Sequence, residues 1–338
     1  MRRSVLSIVV SIALSTMLVA GFAGASHLPF DGVEGTVWVG DRVNPMAGPE
    51  LVAFDAASGA PRLEVDLNAP ASDVSFGRGK IFVGEEALGQ IAVIDTESGE
   101  ILGRIKTGPL PHHLTASRGG KLIAYSAFGT NRLGVIDAHH GSLVGEWPAT
   151  ADPAARTHAA VFSPNRHLIY AASEPGIIST LDAGTGELLE EVVVAGAHEL
   201  IVSRDGSRLY VAARSVGLLH IIDLPSWSVV ATIPLATPDT LQLARNDQIL
   251  TVGLRTSPAR IAVVDLETVT ASEVTIAGGT TLAGHQWTSP DGRYTYAAFE
   301  GPGAGLAVID HQTNAVTTIP YPGGGRPHGL DFSSDEVE

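Results

Sequence analysis

The sequence predicts an all-β fold, a seven-bladed ring of four-stranded sheets around one axis. Three observations carry this expectation. A short apolar strand ending in Asp recurs seven times: VAFD at Asp55, AVID at Asp95, GVID at Asp137, STLD at Asp182, HIID at Asp223, AVVD at Asp265 and AVID at Asp310. The copies fall about every 40–45 residues, the period of a β-propeller blade. Finally, the first copy lacks a first strand, while residues 326–333 read as a first strand with nothing after it.

The chain begins with Arg2 and Arg3, an apolar run over residues 5–22 and small residues up to Ala25. That order predicts a cleavable secretory signal over residues 1–25, with residues 26–338 forming a single domain. A retained anchor is the alternative, because the apolar run is just long enough to span a bilayer. No later stretch is, so stable membrane insertion after cleavage is not expected. The predicted product is secreted or periplasmic.

The net charge is −15 and becomes −17 without Arg2 and Arg3. Such a chain repels phosphate backbones, so nucleic acid is not an expected partner. Cysteine is absent, which excludes disulfides, thiolate metal sites, iron–sulfur clusters and Cys-linked haem. An exported fold of this kind depends on its apolar core.

The fifth copy shows the four strands, a to d. Residues 198–203 form strand a, and Asp205-Gly206 marks the hairpin to strand b at residues 208–213. Strand c, residues 218–223, closes on Asp223, whose carboxylate suits the backbone N–H groups of the following turn. Residues 229–235 form strand d. The same frame places residues 122–125, 168–171 and 294–297 on strands b, and the Ser-Gly or Thr-Gly pairs at Gly59, Gly99 and Gly186 in c–d turns. In the first blade the chain starts at strand b, residues 36–39. The C-terminal strand then completes the N-terminal blade, which closes the ring and removes open sheet edges.

Ser289-Pro290-Asp291-Gly292, Leu209-Tyr210-Val211-Ala212 and Ala92-Val93-Ile94-Asp95 together resemble the YVTN family of propeller repeats. The resemblance covers essentially residues 26–338 and implies the fold; that family hosts many activities.

In such a ring strand a lines the central channel and begins at the top rim. Counting five residues back from the Ser that ends strand a gives His112, His158, His198 and His328, with Asp239 in the copy that ends in Ala244. Four back gives His113 and His285. In the second blade, placing Pro70 on Pro111 gives Ala71 and Ser72. Six of the twelve histidines thus share a two-residue window. Convergent neutral imidazoles suit Zn(II) or Cu(II), and with no Cys a soft Cu(I) site is disfavoured. The candidate metal ligands are therefore His112, His113, His158, His198, His285, His328 and Asp239, as one site or two. His112, His158 and His198 form one arc; His285 and His328 fall on blades 7 and 1, across the channel. A water-solvated rim and a catalytic histidine are the alternatives.

The b–c loops bring Asp41, Glu85, Glu86, Glu174, Arg214, Arg255 and Glu300 to the same rim. Glu86 or Glu174 could orient an imidazole, and Arg214 with Arg255 could clamp a carboxylate. His139, His140, His167, His220 and His311 read as structural. His27, near the predicted mature start, is a weak candidate for capturing metal.

Three functions remain open. One is an exported metal-binding protein, most plausibly for zinc. His112, His158, His198 and His328 in such a propeller resemble the propeller-type periplasmic zinc chaperones. That resemblance implies a solute-binding protein of a metal transporter as partner, although this chain lacks a long His-rich acidic tract. The second is a metal-dependent propeller enzyme of hydrolase, lyase or lactonase type, with an open metal position activating water. The third is an extracellular protein-interaction scaffold. No Gly-x-Ser-x-Gly elbow supports a serine hydrolase, and no Gly-x-Gly-x-x-Gly supports a dinucleotide enzyme.

Overall fold

The computed structural model describes residues 30, 33–42, 48–244, 247–276, 282–301 and 303–334. The predicted signal and His27 lie outside the described residues. Among the described residues, twenty-eight strands form seven four-stranded antiparallel sheets. The chain is a seven-bladed β-propeller. No helix among them is long and apolar enough to cross a membrane.

Closure follows the predicted route. The last strand, Pro327–Ser333, pairs with Thr36–Asp41, placing Ser333 opposite Thr36 and Leu330 opposite Val39. Trp38 Nε1 donates to Ser333 Oγ at 2.9 Å in a buried bond across the seam. The first and last parts of the propeller are therefore held in one sheet.

The apolar side chains divide into seven clusters, each between two adjacent blades. Phe82, Ile91 and Val93 of blade 2 meet Leu114, Ile123 and Tyr125 of blade 3, for example. At the seam, Val37 and Phe54 of blade 1 meet Tyr294 and Leu306 of blade 7. Each blade thus covers both faces of its inner strands. This explains why strands b and c are continuous apolar runs instead of alternating ones. Strand d lies outermost; Leu188–Val193 is largely exposed.

The repeated Asp has the role expected of it. Asp95 Oδ1 accepts from Ser98 N at 2.9 Å, Asp182 Oδ1 from Thr185 N at 2.8 Å and Asp265 Oδ1 from Thr268 N at 2.8 Å. These bonds hold the three carboxyls below the usual carboxylate range. In the a–b turns, Ser203 Oγ donates to Asp205 Oδ1 at 2.6 Å and accepts from Arg208 N at 2.9 Å. These turns and the c–d turns share one face of the ring. The upper ends of strands a and the b–c loops share the other.

Candidate metal centre

The upper end of strand a is bulged at the same place in every blade. In blade 4, Thr157 faces Ser173 and Ala159 faces Ala172, so His158 is the extra residue. The same count leaves His198 extra in blade 5, Asp239 in blade 6 and His328 in blade 1. In blades 3 and 7 the irregularity spans His112 with His113 and Gly284 with His285. In blade 2, Ser72 N donates to Gly84 O and Gly84 N donates to Asp73 O, so two residues again oppose one. A bulge bends its strand and re-aims a side chain. Repeated around the ring, it turns these residues toward the axis.

This register corrects the alignment of the second blade. Ser72 and Asp73, not Ala71 and Ser72, match His112 and His113. The proline count slips by one because the bulge position relative to Pro70 differs from that relative to Pro111.

Hydrogen bonds between blades fix the bulges. Leu114 N donates to Asp73 Oδ2 at 2.9 Å, Ser126 Oγ to His158 O at 2.5 Å and Thr240 Oγ1 to Gly284 O at 3.0 Å. Two glycines allow the close approach of blades 7, 1 and 2. A Cβ on Gly284 would lie 2.6 Å from His328 O, and one on Gly329 would lie 2.6 Å from Asp73 Cα.

The rings form a continuous chain. Centroids of His158 and His198 are 3.3 Å apart, those of His113 and His158 4.4 Å, and those of His113 and His285 4.7 Å. His328 follows His285 at 5.4 Å. The channel is therefore narrower than two separate arcs would require, and His285 joins His113 instead of facing it from across the channel. Potential ligand atoms of His112, His113 and His158 lie within 4.8 Å of one another, as do those of Asp73, His113 and His285.

A carboxylate missed in the sequence approaches two members of the first group. Glu199 Oε2 lies 3.5 Å from His113 Nε2 and 3.7 Å from His158 Nδ1. Two ligand atoms on a tetrahedral ion with bonds near 2.1 Å stand about 3.4 Å apart. Glu199 Oε2 and His158 Nδ1 are buried without a hydrogen-bond partner among the described residues. Asp73 Oδ2 lies 3.5 Å from His113 Nδ1, and Asp73 Oδ1 lies 3.7 Å from His285 Nδ1. The donor set and spacing fit a metal ion.

The other candidates have different surroundings. Asp239 accepts from Arg214 Nη1 at 2.8 Å and Arg255 Nη1 at 3.3 Å, and its Oδ1 lies 3.0 Å from His198 Nε2. The arginine pair does clamp a carboxylate, that of Asp239 itself. Glu86 Oε1 lies 2.9 Å from His112 Nδ1, as expected of an orienting group. Glu174 Oε1 lies 3.7 Å from His198 Nδ1, and Glu300 Oε1 lies 3.6 Å from His328 Nδ1. His139, His140 and His167 sit at the opposite face.

Burial dominates the electrostatics. It pushes the imidazoles of His113, His158 and His328 well below the usual histidine range, helped by their histidine and arginine neighbours. His198 and His285 move the same way. These rings are neutral at pH 7, the form that ligates metal. Burial, then Asp73 and Asp239, raises Glu199 well above the ordinary carboxylate range. Burial also raises Asp239, but His198, Arg255 and Arg214 outweigh it and hold that carboxyl well down.

The sequence did contain the signal for Glu199, which lies four residues back from Ser203, the position of His113 and His285 in their blades. Asp73 was hidden by the register slip. Arg42, whose Nη2 lies 3.3 Å from His112 Nδ1, was also missed, although it holds in blade 1 the repeat position of Glu86, Glu174, Arg214, Arg255 and Glu300 at the upper end of strand b.

A family model described as outer membrane protein assembly factor BamB matches residues 17–230. The chain belongs to this β-propeller family. No curated protein sequence matches significantly. Among solved structures, a candidate 6-phosphogluconolactonase from Bacteroides uniformis is similar at 17% identity with a TM-score of 0.69, covering 89% of this chain and 99% of that one. Hydrazine synthase from Kuenenia stuttgartiensis is similar at 15% identity and a TM-score of 0.62, over 71% of this chain and 76% of its own. The dihydro-heme d1 dehydrogenase NirN, solved with DHE, is similar at 17% identity and a TM-score of 0.62, over 90% and 76%. At these identities the likeness is one of fold.

Proposed function

We propose that this chain is an exported metal-binding propeller whose centre is built from His112, His113 and His158, with Glu199 as the fourth ligand. One observation carries the reading: unpartnered, buried donor atoms of His158 and Glu199 stand beside His113 at the spacing of ligands on one ion. Three imidazoles and a carboxylate form a borderline, thiolate-free set, which favours zinc and leaves Cu(II) as the competing ion. Asp73 and His285, sharing His113, extend the centre toward His328.

Delivery of the metal to a solute-binding protein of a transporter, in the manner of propeller-type zinc chaperones, is the role that this reading favours. The rim position of the histidines supports it, since a cargo ion must be able to leave. The residue 1–25 segment supports an exported location.

A second reading, a metal-dependent hydrolase or lyase, has its own support. A cavity of about 340 Å³ is lined by Glu199, His285 and Asp331. It could admit a small substrate to the centre from below.

The test is elemental mass spectrometry on tag-free protein from Ser26 onward, beside a His112/His113/His158 triple Ala variant and a His139/His140 double Ala control. Near-stoichiometric zinc lost only in the triple variant supports the reading. No metal after incubation with excess zinc overturns it.

A further inference from the structure

We infer that Arg42 is an anion-binding residue which seats a small carboxylate over the histidine cluster. The inference rests on the preceding reading only for the metal ion that would share this carboxylate.

Four rim arginines have carboxylate partners. Arg214 and Arg255 hold Asp239, Arg326 Nη2 lies 2.8 Å from Glu300 Oε2, and Arg156 Nη2 lies 3.3 Å from Glu174 Oε2. Arg42 has no carboxylate within ion-pair distance among the described residues. Its Nη2 instead lies 3.3 Å from His112 Nδ1, the nitrogen that Glu86 also approaches. Its Nε is buried with no hydrogen-bond partner. Leaving a buried N–H of a charged group unpaired is costly, and a guanidinium is a planar fork that matches a carboxylate with two parallel bonds. Burial, the largest influence on Arg42, lowers its pKa despite the surrounding carboxylates. The charge is thus held in a place that solvates it poorly.

A divalent ion held by the neighbouring histidines would stand beside the Arg42 guanidinium, and the two charges repel strongly at this range in a medium drier than water. A carboxylate lying between them would relieve that repulsion and use the unpartnered Nε. Phosphate could meet Arg42 as well, but it has no planar match to the fork.

The experiment uses Co(II)-loaded protein, because its d–d bands report a change in coordination, with acetate as the added anion. The wild type should show a saturable shift. Arg42→Met should weaken acetate binding about tenfold or more, the loss of a charge-assisted pair, while still taking up cobalt. Arg156→Met should bind acetate as the wild type does. Phosphate should bind more weakly than acetate. No saturable shift in the wild type, or equal acetate affinity in Arg42→Met, overturns the inference. Tighter phosphate binding overturns the carboxylate assignment. Should cobalt not bind at all, the metal reading fails, and melting of the metal-free protein still decides this one. An acetate-dependent rise in Tm that Arg42→Met abolishes supports it, and no such rise overturns it.

Discussion

Glu199 is the residue on which the account depends most. Its carboxyl is raised by burial and by Asp73 and Asp239, while the imidazoles beside it are neutral at pH 7. A metal ion arriving there displaces no proton from His113 or His158, but Glu199 must ionise to ligate it. Metal uptake should therefore release up to one proton, the fraction set by how far Glu199 is protonated at that pH, and uptake should strengthen as pH rises until Glu199 ionises without help. Calorimetry in buffers of different ionisation enthalpy measures this number. Glu199→Gln should reduce it toward zero and weaken zinc binding by more than the roughly 10–100-fold typical of an outer-shell change. Release that persists in Glu199→Gln would place the proton on another group. Six histidines could be aligned from spacing alone because each blade repeats the same strand. Arg42 shares the repeat position of Glu86, Arg214 and Arg255, so spacing marks its place at the rim, but the approach of its side chain to His112 depends on packing between blades.

At the scale of the strand, the bulge determines the site. The sequence pattern located five strands a by their terminal Ser, yet periodicity carries no mark of an added residue. That is why blade 2 was misread by one position and Asp73 passed unnoticed. The glycines at 284 and 329 are the clearest local sign of the crowding, since a Cβ at Gly329 would meet Asp73 Cα at 2.6 Å. Gly329→Ala should force the strands of blades 1 and 2 apart, costing about 1–3 kcal/mol as overpacked sites do. It should also move Asp73 away from His113. A lower Tm together with weaker zinc binding is the expected result. Unchanged zinc binding in a destabilised variant would detach Asp73 from the centre.

Across the whole molecule, the ring trades stability in acid for a preassembled cluster. Folded His113, His158, His198, His285 and His328 bind protons less readily than the same residues unfolded, whose pKa is near 6.5. As pH falls below about 6.5 the unfolded state takes up protons that the folded state refuses, so the metal-free propeller loses stability. Glu199 and Asp331, the latter raised to about 7 by burial, act in the opposite sense. Their contribution is fully present below the unfolded carboxylate pKa and disappears as pH rises through the folded one. Between about pH 6.5 and 4.5 seven lowered imidazoles, His220 and His311 included, oppose four raised carboxyls, Glu50 and Asp247 included, and the net slope should follow the histidines. Urea unfolding at pH 7.5 and 5.0 should show it, and a His158→Asn/His328→Asn double variant should flatten it. An equal slope in that variant would mean that the acid limb has another origin. The ring itself was legible in the sequence because the Asp-terminated strand c and the displaced last strand are local signals. The blade-to-blade distances that make the channel narrow are not.

The most direct test of the metal centre is X-ray absorption at the zinc edge of the loaded protein. The account predicts four N/O ligands near 2.0–2.1 Å, with outer-shell scattering from about three imidazoles and no sulfur. A first shell of oxygen alone, without imidazole scattering, would contradict it.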